Sequence, residues 1–469
     1  MKRHFPLLAA TVATLFSVGG SLFAQDAPKV EPFETPVVSK DADFAERQLA
    51  FALNTFRRAV ETESANANTL VAPFGAYRVL GALSLGSAGQ TKTEIDAALF
   101  RSDSDADAWR QAVADANAAL TDAPETTLVG GLWVAPGFKL KKEFAADLKE
   151  FSGQKAESLD FAQESSLKEV NAWFSKNTNG RIPSLLDSLA PETRLLFSDA
   201  TTFDGQWKYA FDPKATRNRA FETIDGDEVD FPSMSKTAKF AYYDADDFQY
   251  LEAPYDGDRF SLVVVLPNDY ASYAKVERDL TPAKLLECRA QAKETLVDFR
   301  FPKFTVRRSV DLASTLQKAG VVSAFSLDAD LTPIAGDANL RLDQAKQGAF
   351  LAVDETGTVA AAATAASAAP KAVPEANFHA DRPFFYMIRH NDAGAVLFAG
   401  RFVSPRQAEA TVTAEVAEEE TDEAEVAEEI AEEETDEAEV AEEIADEPDS
   451  DAKTKPAPPK ATPASGSLR

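Results

Sequence analysis

Asp354-Glu-Thr-Gly-Thr-Val-Ala-Ala-Ala-Ala-Thr-Ala-Ala-Ser-Ala-Ala-Pro-Lys-Ala-Val-Pro374 lies between two β-like runs, residues 350–353 and 384–389. Composition alone reads it as a helix or a linker, because alanine is the best helix former. It is uncharged from 356 to 370, and positions 358, 360, 362 and 364 are Thr, Ala, Ala and Thr. Nothing local in the segment proves otherwise. What the flanking chain builds decides between these readings.

Upstream, Phe44-Ala-Glu-Arg-Gln-Leu-Ala-Phe-Ala-Leu-Asn-Thr-Phe56 repeats apolar residues at three and four, the stripe of a core-facing helix. Residues 73–85 form a second, more apolar helical pattern, and 93–99, 104–120 and 165–176 continue it. The β-like runs are 127–135, 157–161, 194–203, 260–266, 295–301, 350–353, 384–389 and 396–402. Helices early and strands late predict an α+β fold with a helical N-terminal half and large mixed β-sheets, not a regular βαβ array.

The 469 residues are 45% apolar and include 32 Phe, enough for a large buried core. The formal charge is −29, but residues 407–469 hold 22 acids against 4 bases, so the globular part is only mildly acidic. That balance argues against nucleic-acid binding, which needs a basic face. Cys288 is the one cysteine, so no intramolecular disulfide is expected; in its helical stretch it reads as an inert, half-buried thiol. His4, His379 and His390 are too few for an imidazole triad or metal cluster, and the last two read as ordinary packing or surface histidines. G-x-S-x-G, H-E-x-x-H, C-x-x-C, the P-loop and G-x-G-x-x-G are all missing, so no catalytic residue, metal or cofactor is assigned.

Residues 1–24 read as a secretory signal, with Lys2 and Arg3 before an apolar run that ends in Leu22-Phe-Ala24. A permanent membrane anchor is the competing reading. A polar lead-in covers 25–42, the globular domain 43–406, and an acidic tail 407–469. In that tail Glu425-Val-Ala-Glu-Glu-Ile-Ala431 recurs from Glu439. Its composition predicts a solvated, largely disordered arm. The expected location is secreted or periplasmic, with no membrane contact after signal removal.

Phe378-His-Ala-Asp-Arg-Pro-Phe-Phe-Tyr-Met-Ile388 matches, at each constrained position, the C-terminal signature of the serpin family. Asn171-Ala-Trp-Phe-Ser-Lys-Asn-Thr-Asn-Gly-Arg-Ile182 looks like that family's helix and following turn. Phe203-Asp-Gly-Gln-Trp207 with Phe211, Leu70-Val-Ala-Pro73, Leu85-Gly86 and Leu262-Val-Val-Val-Leu-Pro267 fall in the same order and spacing. The chain therefore resembles serpins from about Phe44 to Val403.

The resemblance implies an exposed reactive-centre loop that a serine protease cuts and that then inserts into the main sheet while the protease stays attached as an acyl-enzyme. It makes Glu355 the hinge glutamate and Gly357, Thr358, Ala360, Ala362 and Thr364 the inserting hinge. Counting from Glu355 puts the scissile bond at Lys371–Ala372, which points to a trypsin-like target. The spacing to Pro383 leaves Ala369 or Ala372 open, and those point to an elastase-like one. Where the family has two serines, an asparagine and a histidine beneath the opening sheet, this sequence has Ala72, Gly75, Asp199 and Gln347. A buried Asp199 needs a donor, and Gln347 is the expected one. The implied protein is a monomeric suicide inhibitor and not an enzyme. The alternatives are a non-inhibitory binding or scaffold protein, or a plain protease substrate.

Overall fold

The computed structural model describes residues 33–39, 41–101, 106–336, 339–357 and 373–406. In chain order its strands are β1 (Thr69–Val71), β2 (Thr126–Val134), β3 (Lys155–Ser158), β4 (Leu195–Phe203), β5 (Arg217–Glu222), β6 (Glu228–Asp244), β7 (Phe248–Pro254), β8 (Phe260–Pro267), β9 (Lys293–Pro302), β10 (Phe304–Asp311), β11 (Gln344–Val353), β12 (Ala376–His379), β13 (Phe384–His390) and β14 (Val396–Phe402). They form two sheets. One has nine strands in the order β1-β14-β13-β8-β7-β6-β9-β12, with β5 paired to β6; the other has five, β10-β11-β4-β2-β3.

The helices α1 (Phe44–Val60), α2 (Pro73–Leu85), α3 (Gly89–Ala98), α4 (Ala106–Thr121), α5 (Lys142–Ser152) and α6 (Ser165–Asn177) come early in the chain, as the apolar stripes predict. Asp43 caps α1 by accepting from the Glu46 amide at 2.9 Å. Pro73 opens α2, where its missing N–H does no harm. α2 is buried on nearly every side, which is why its sequence is apolar all round.

The five-stranded sheet is the centre of the molecule. Every residue of β4 is buried, and its side chains alternate between two cores. Leu195 and Phe197 join α2 and α5 in one; Leu196 and Ala200 join Phe174 of α6, Ile182 and Leu185 in the other. β4 thus reads as a continuous apolar run, the mark of a strand covered on both faces. Leu351 and Val353 of β11 pack against the nine-stranded sheet through an aromatic cluster built around Phe299, Phe301, Phe304, Phe384 and Phe402. Phe299 alone touches the rings of Phe211, Phe240, Phe301 and Phe378.

Phe299→Ala is expected to lower unfolding stability by about 3–5 kcal/mol through the cavity it leaves, measured by urea denaturation. Phe299→Leu should lose clearly less.

Candidate functional site

β11 and β4 run parallel and pair directly, Gln344 with Leu196 through Phe350 with Thr202. On either side of this seam the pairing is antiparallel, β10 with β11 and β2 with β4. Both strands of the seam end at the same edge of the sheet, so the chain leaving β11 emerges beside the end of β4.

There it makes a tight turn. The Asp354 amide donates to the Gly357 carbonyl at 2.9 Å, and the Asp354 carboxylate accepts from the amides of Thr356 (2.8 Å) and Gly357 (3.1 Å). The segment after β4 crosses this turn. Trp207 donates its backbone amide to the Thr356 carbonyl at 3.0 Å and its indole N–H to the Asp354 carbonyl at 2.9 Å, and the Phe211 amide donates to the Glu355 carbonyl at 2.8 Å. The indole is fixed by stacking on Tyr255, 4.4 Å between centroids. Gly357 has φ +155° and forms an isolated bridge with Gln206. A β-carbon on it would fall 2.1 Å from the Gly205 carbonyl oxygen, so only glycine lets the two backbones cross here.

Glu355 is buried against this crossing. Its carboxylate accepts from the Thr216 hydroxyl at 2.7 Å and the Lys303 ammonium at 2.9 Å. Burial alone would push this carboxyl up, but the bonds from Lys303 and Thr216 outweigh it and hold it below its ordinary range.

Lower on the seam, Gln347 and Asp199 face each other across the strand pair, and both are fully buried. The Gln347 side chain closes on the Ala72 backbone, donating to the carbonyl at 2.8 Å and accepting from the amide at 2.9 Å, and it also favours the ionised Asp199 by hydrogen bonding. The close charged donor to Asp199 is one the sequence did not announce, Arg78 of α2, at 2.7 Å, with the Thr201 hydroxyl at 3.2 Å on the other oxygen. Arg78 is held by Asn117 at 2.8 Å. Burial pushes the Asp199 carboxyl above its usual range, and Arg78, Thr201 and Gln347 offset that only in part. Gly75 makes room for this pair: a β-carbon there would lie 1.9 Å from an Asp199 carboxylate oxygen.

The structure thus groups Ala72, Gly75, Asp199 and Gln347 beneath the seam and places Glu355 and Gly357 at its end. Thr358, Ala360, Ala362, Thr364, Lys371 and Ala372 lie outside the described residues, as do 1–24 and 407–469. Thr216, Lys303 and Arg78 are additions to the residues singled out in the sequence, and Trp207, there only part of the family resemblance, gains a role in pinning the turn. His390 is buried edge-on against Phe260, which lowers its pKa; His379 meets Asp298 at 3.0 Å; Cys288 is buried, which raises its thiol pKa.

A family model described as Serpin (serine protease inhibitor) matches residues 46–405. The chain belongs to the serpin family. A serpin-like protein of Thermococcus kodakarensis is 30% identical over 85% of this chain and 99% of its own length. The horse leukocyte elastase inhibitor is 32% identical over 76% of this chain and 97% of its own. Among solved structures, Serpin48 of the insect Tenebrio molitor, described as a highly specific serpin, superposes with a TM-score of 0.68 at 30% identity, covering 78% of this chain and all of that one. Serpins are generally protease inhibitors, and some are non-inhibitory.

Arg78→Met leaves Asp199 buried without its partner and is expected to destabilise the native state by about 3–5 kcal/mol in denaturant unfolding. Adding Asp199→Asn should recover a large share of that loss. Glu355, with its lowered native pKa, contributes stability that is complete above its ordinary value of 4.5 and is lost as pH falls through the native value. Thermal melts between about pH 6 and pH 3 should therefore fall more steeply for the natural serpin than for Glu355→Gln.

Proposed function

We propose that this serpin inhibits a trypsin-like serine protease by being cut once at Lys371–Ala372 and inserting residues 357–364 between β11 and β4. The observation that carries this reading is the direct parallel seam, with a glycine hinge at the edge where β11 ends. A segment that leaves β11 and folds back between the two strands runs antiparallel to both. One parallel ladder then becomes two antiparallel ones, the pairing that is more stable per residue. Thr358, Ala360, Ala362 and Thr364 are small and uncharged, so their burial requires no charge to be desolvated.

The chemistry belongs to the protease. Its serine attacks the Lys371 carbonyl, the bond to Ala372 breaks, and Ala372 becomes a new N-terminus. Insertion then carries the acylated serine away from the geometry that water attack needs. Lys371 suits a specificity pocket that holds a carboxylate, and Pro370 stiffens the bait before it. Export through residues 1–24 would place the inhibitor outside the cell or in the periplasm, where such proteases are met.

Incubation with trypsin should give a complex that survives boiling in detergent and runs at the summed mass on a denaturing gel. Thr358→Arg should turn the inhibitor into a substrate that is cleaved without trapping, because an arginine would have to enter the core. Lys371→Glu should abolish the reaction with trypsin and leave the melting behaviour unchanged. Complete cleavage of the natural chain with no complex would move the reading to a non-inhibitory serpin.

A further inference from the structure

Away from the seam, the β5–β6–β9–β12 end of the nine-stranded sheet encloses a cavity of about 150 Å³ whose lining includes Arg219, Phe221, Phe231, Ser233, Arg300 and His379. Its cations outnumber their counter-charges. Arg219 donates to the Ser233 carbonyl at 2.7 Å, and among the described residues no carboxylate lies within ion-pair distance of it. Burial and the neighbouring Arg300 both pull its pKa down. Asp298 is shared between Arg300 at 3.2 Å and His379 at 3.0 Å, Asp381 is paired with Arg382 at 2.6 Å, and the Arg300 Nε is buried with no partner. Two half-buried guanidiniums with one shared carboxylate are a receptor for an oxyanion, since each can present a fork of N–H donors.

The described chain ends beside this cavity. Ile224, in the turn between β5 and β6, donates its amide to the Val403 carbonyl at 3.1 Å, and Arg406 reaches Asp227 of the same turn at 3.1 Å. Residues 407–469, with 22 acids against 4 bases, therefore start at the tip of the hairpin that carries Arg219. Fully extended chain spans about 3.3–3.6 Å per residue, so the stretch from Arg406 to Glu415 reaches roughly 30 Å, beyond the length of β5. Such a tether gives its carboxylates an effective concentration of order millimolar at the cavity. The tip itself is acidic, with Asp225, Asp227 and Glu228, so it repels the tail, and the neighbouring guanidiniums are where the tail gains.

We propose that the acidic tail docks its carboxylates into the Arg219–Arg300–His379 cavity and so braces the short strand β12 against β9. β12 is four residues long and comes directly after the bait segment, so this contact would steady the loop's downstream anchor.

Hydrogen exchange on the full-length chain tests this. In about 20 mM salt, amides of residues 217–222 and 376–381 should exchange roughly fivefold more slowly than in a full-length variant whose tail glutamates are all changed to glutamine. About 0.5 M salt should erase the difference. Arg219→Gln with the natural tail should exchange like the neutral-tail variant. Equal exchange of the natural and neutral-tail chains at low salt overturns the proposal, and so does protection that survives Arg219→Gln. Protection of the neutral-tail variant by inorganic phosphate, with none from the natural tail, would assign the cavity to a free anion and equally overturn it.

Discussion

The closed ladder between β11 and β4 is the constraint on which the rest of this serpin depends. It joins two strands far apart in sequence in the parallel mode, the weaker of the two per residue, in a sheet that is antiparallel on both sides of it. At the edge where both strands end, the 354–357 turn is pinned by Trp207 and Phe211 and by the Lys303–Glu355–Thr216 contacts. These bonds fix the 354–357 turn at the edge where β11 and β4 end. In the proposed mechanism insertion breaks them, which assigns them to the barrier and not to the driving force. Such an arrangement makes a state kinetically persistent without its being the lowest in free energy.

Beneath the ladder, four residues that depart from the family's usual set form two matched pairs. Gln347 with Ala72 is one: the amide side chain satisfies both backbone groups at the start of α2. Asp199 with Gly75 is the other, the carboxylate occupying the room a β-carbon would need. Arg78 completes the second pair. A buried charge is a serious cost when unpaired, and here it is met by a charge from the helix below. The departures are mutually compensating, so the altered cluster does not by itself argue for a broken inhibitor.

Much of this was legible in the sequence. The apolar run of β4 and the stripe of α1 gave these elements directly, and the 378–388 signature gave the family. β6, which shows no clear period, is polar and irregular. Its Glu228-Val-Asp-Phe-Pro-Ser stretch reads as loop, and the strand exists because residues 228–233 pair with β5 and 233–242 with β9. Non-local pairing of that kind leaves no local trace. Arg78 did leave one: it is the single charge in an otherwise apolar helix, which demands a buried partner. Lys303 and Thr216 left none, because Glu355 recruits them from remote loops.

The proposed mechanism requires that the uncut chain store conformational energy. The melting temperature of the purified chain before and after a single nick at 371–372, with both fragments retained, reads that energy. Insertion predicts that the nicked form melts well above the intact one. A nicked form that melts at the same temperature, or lower, would mean that no energy was held in the closed sheet.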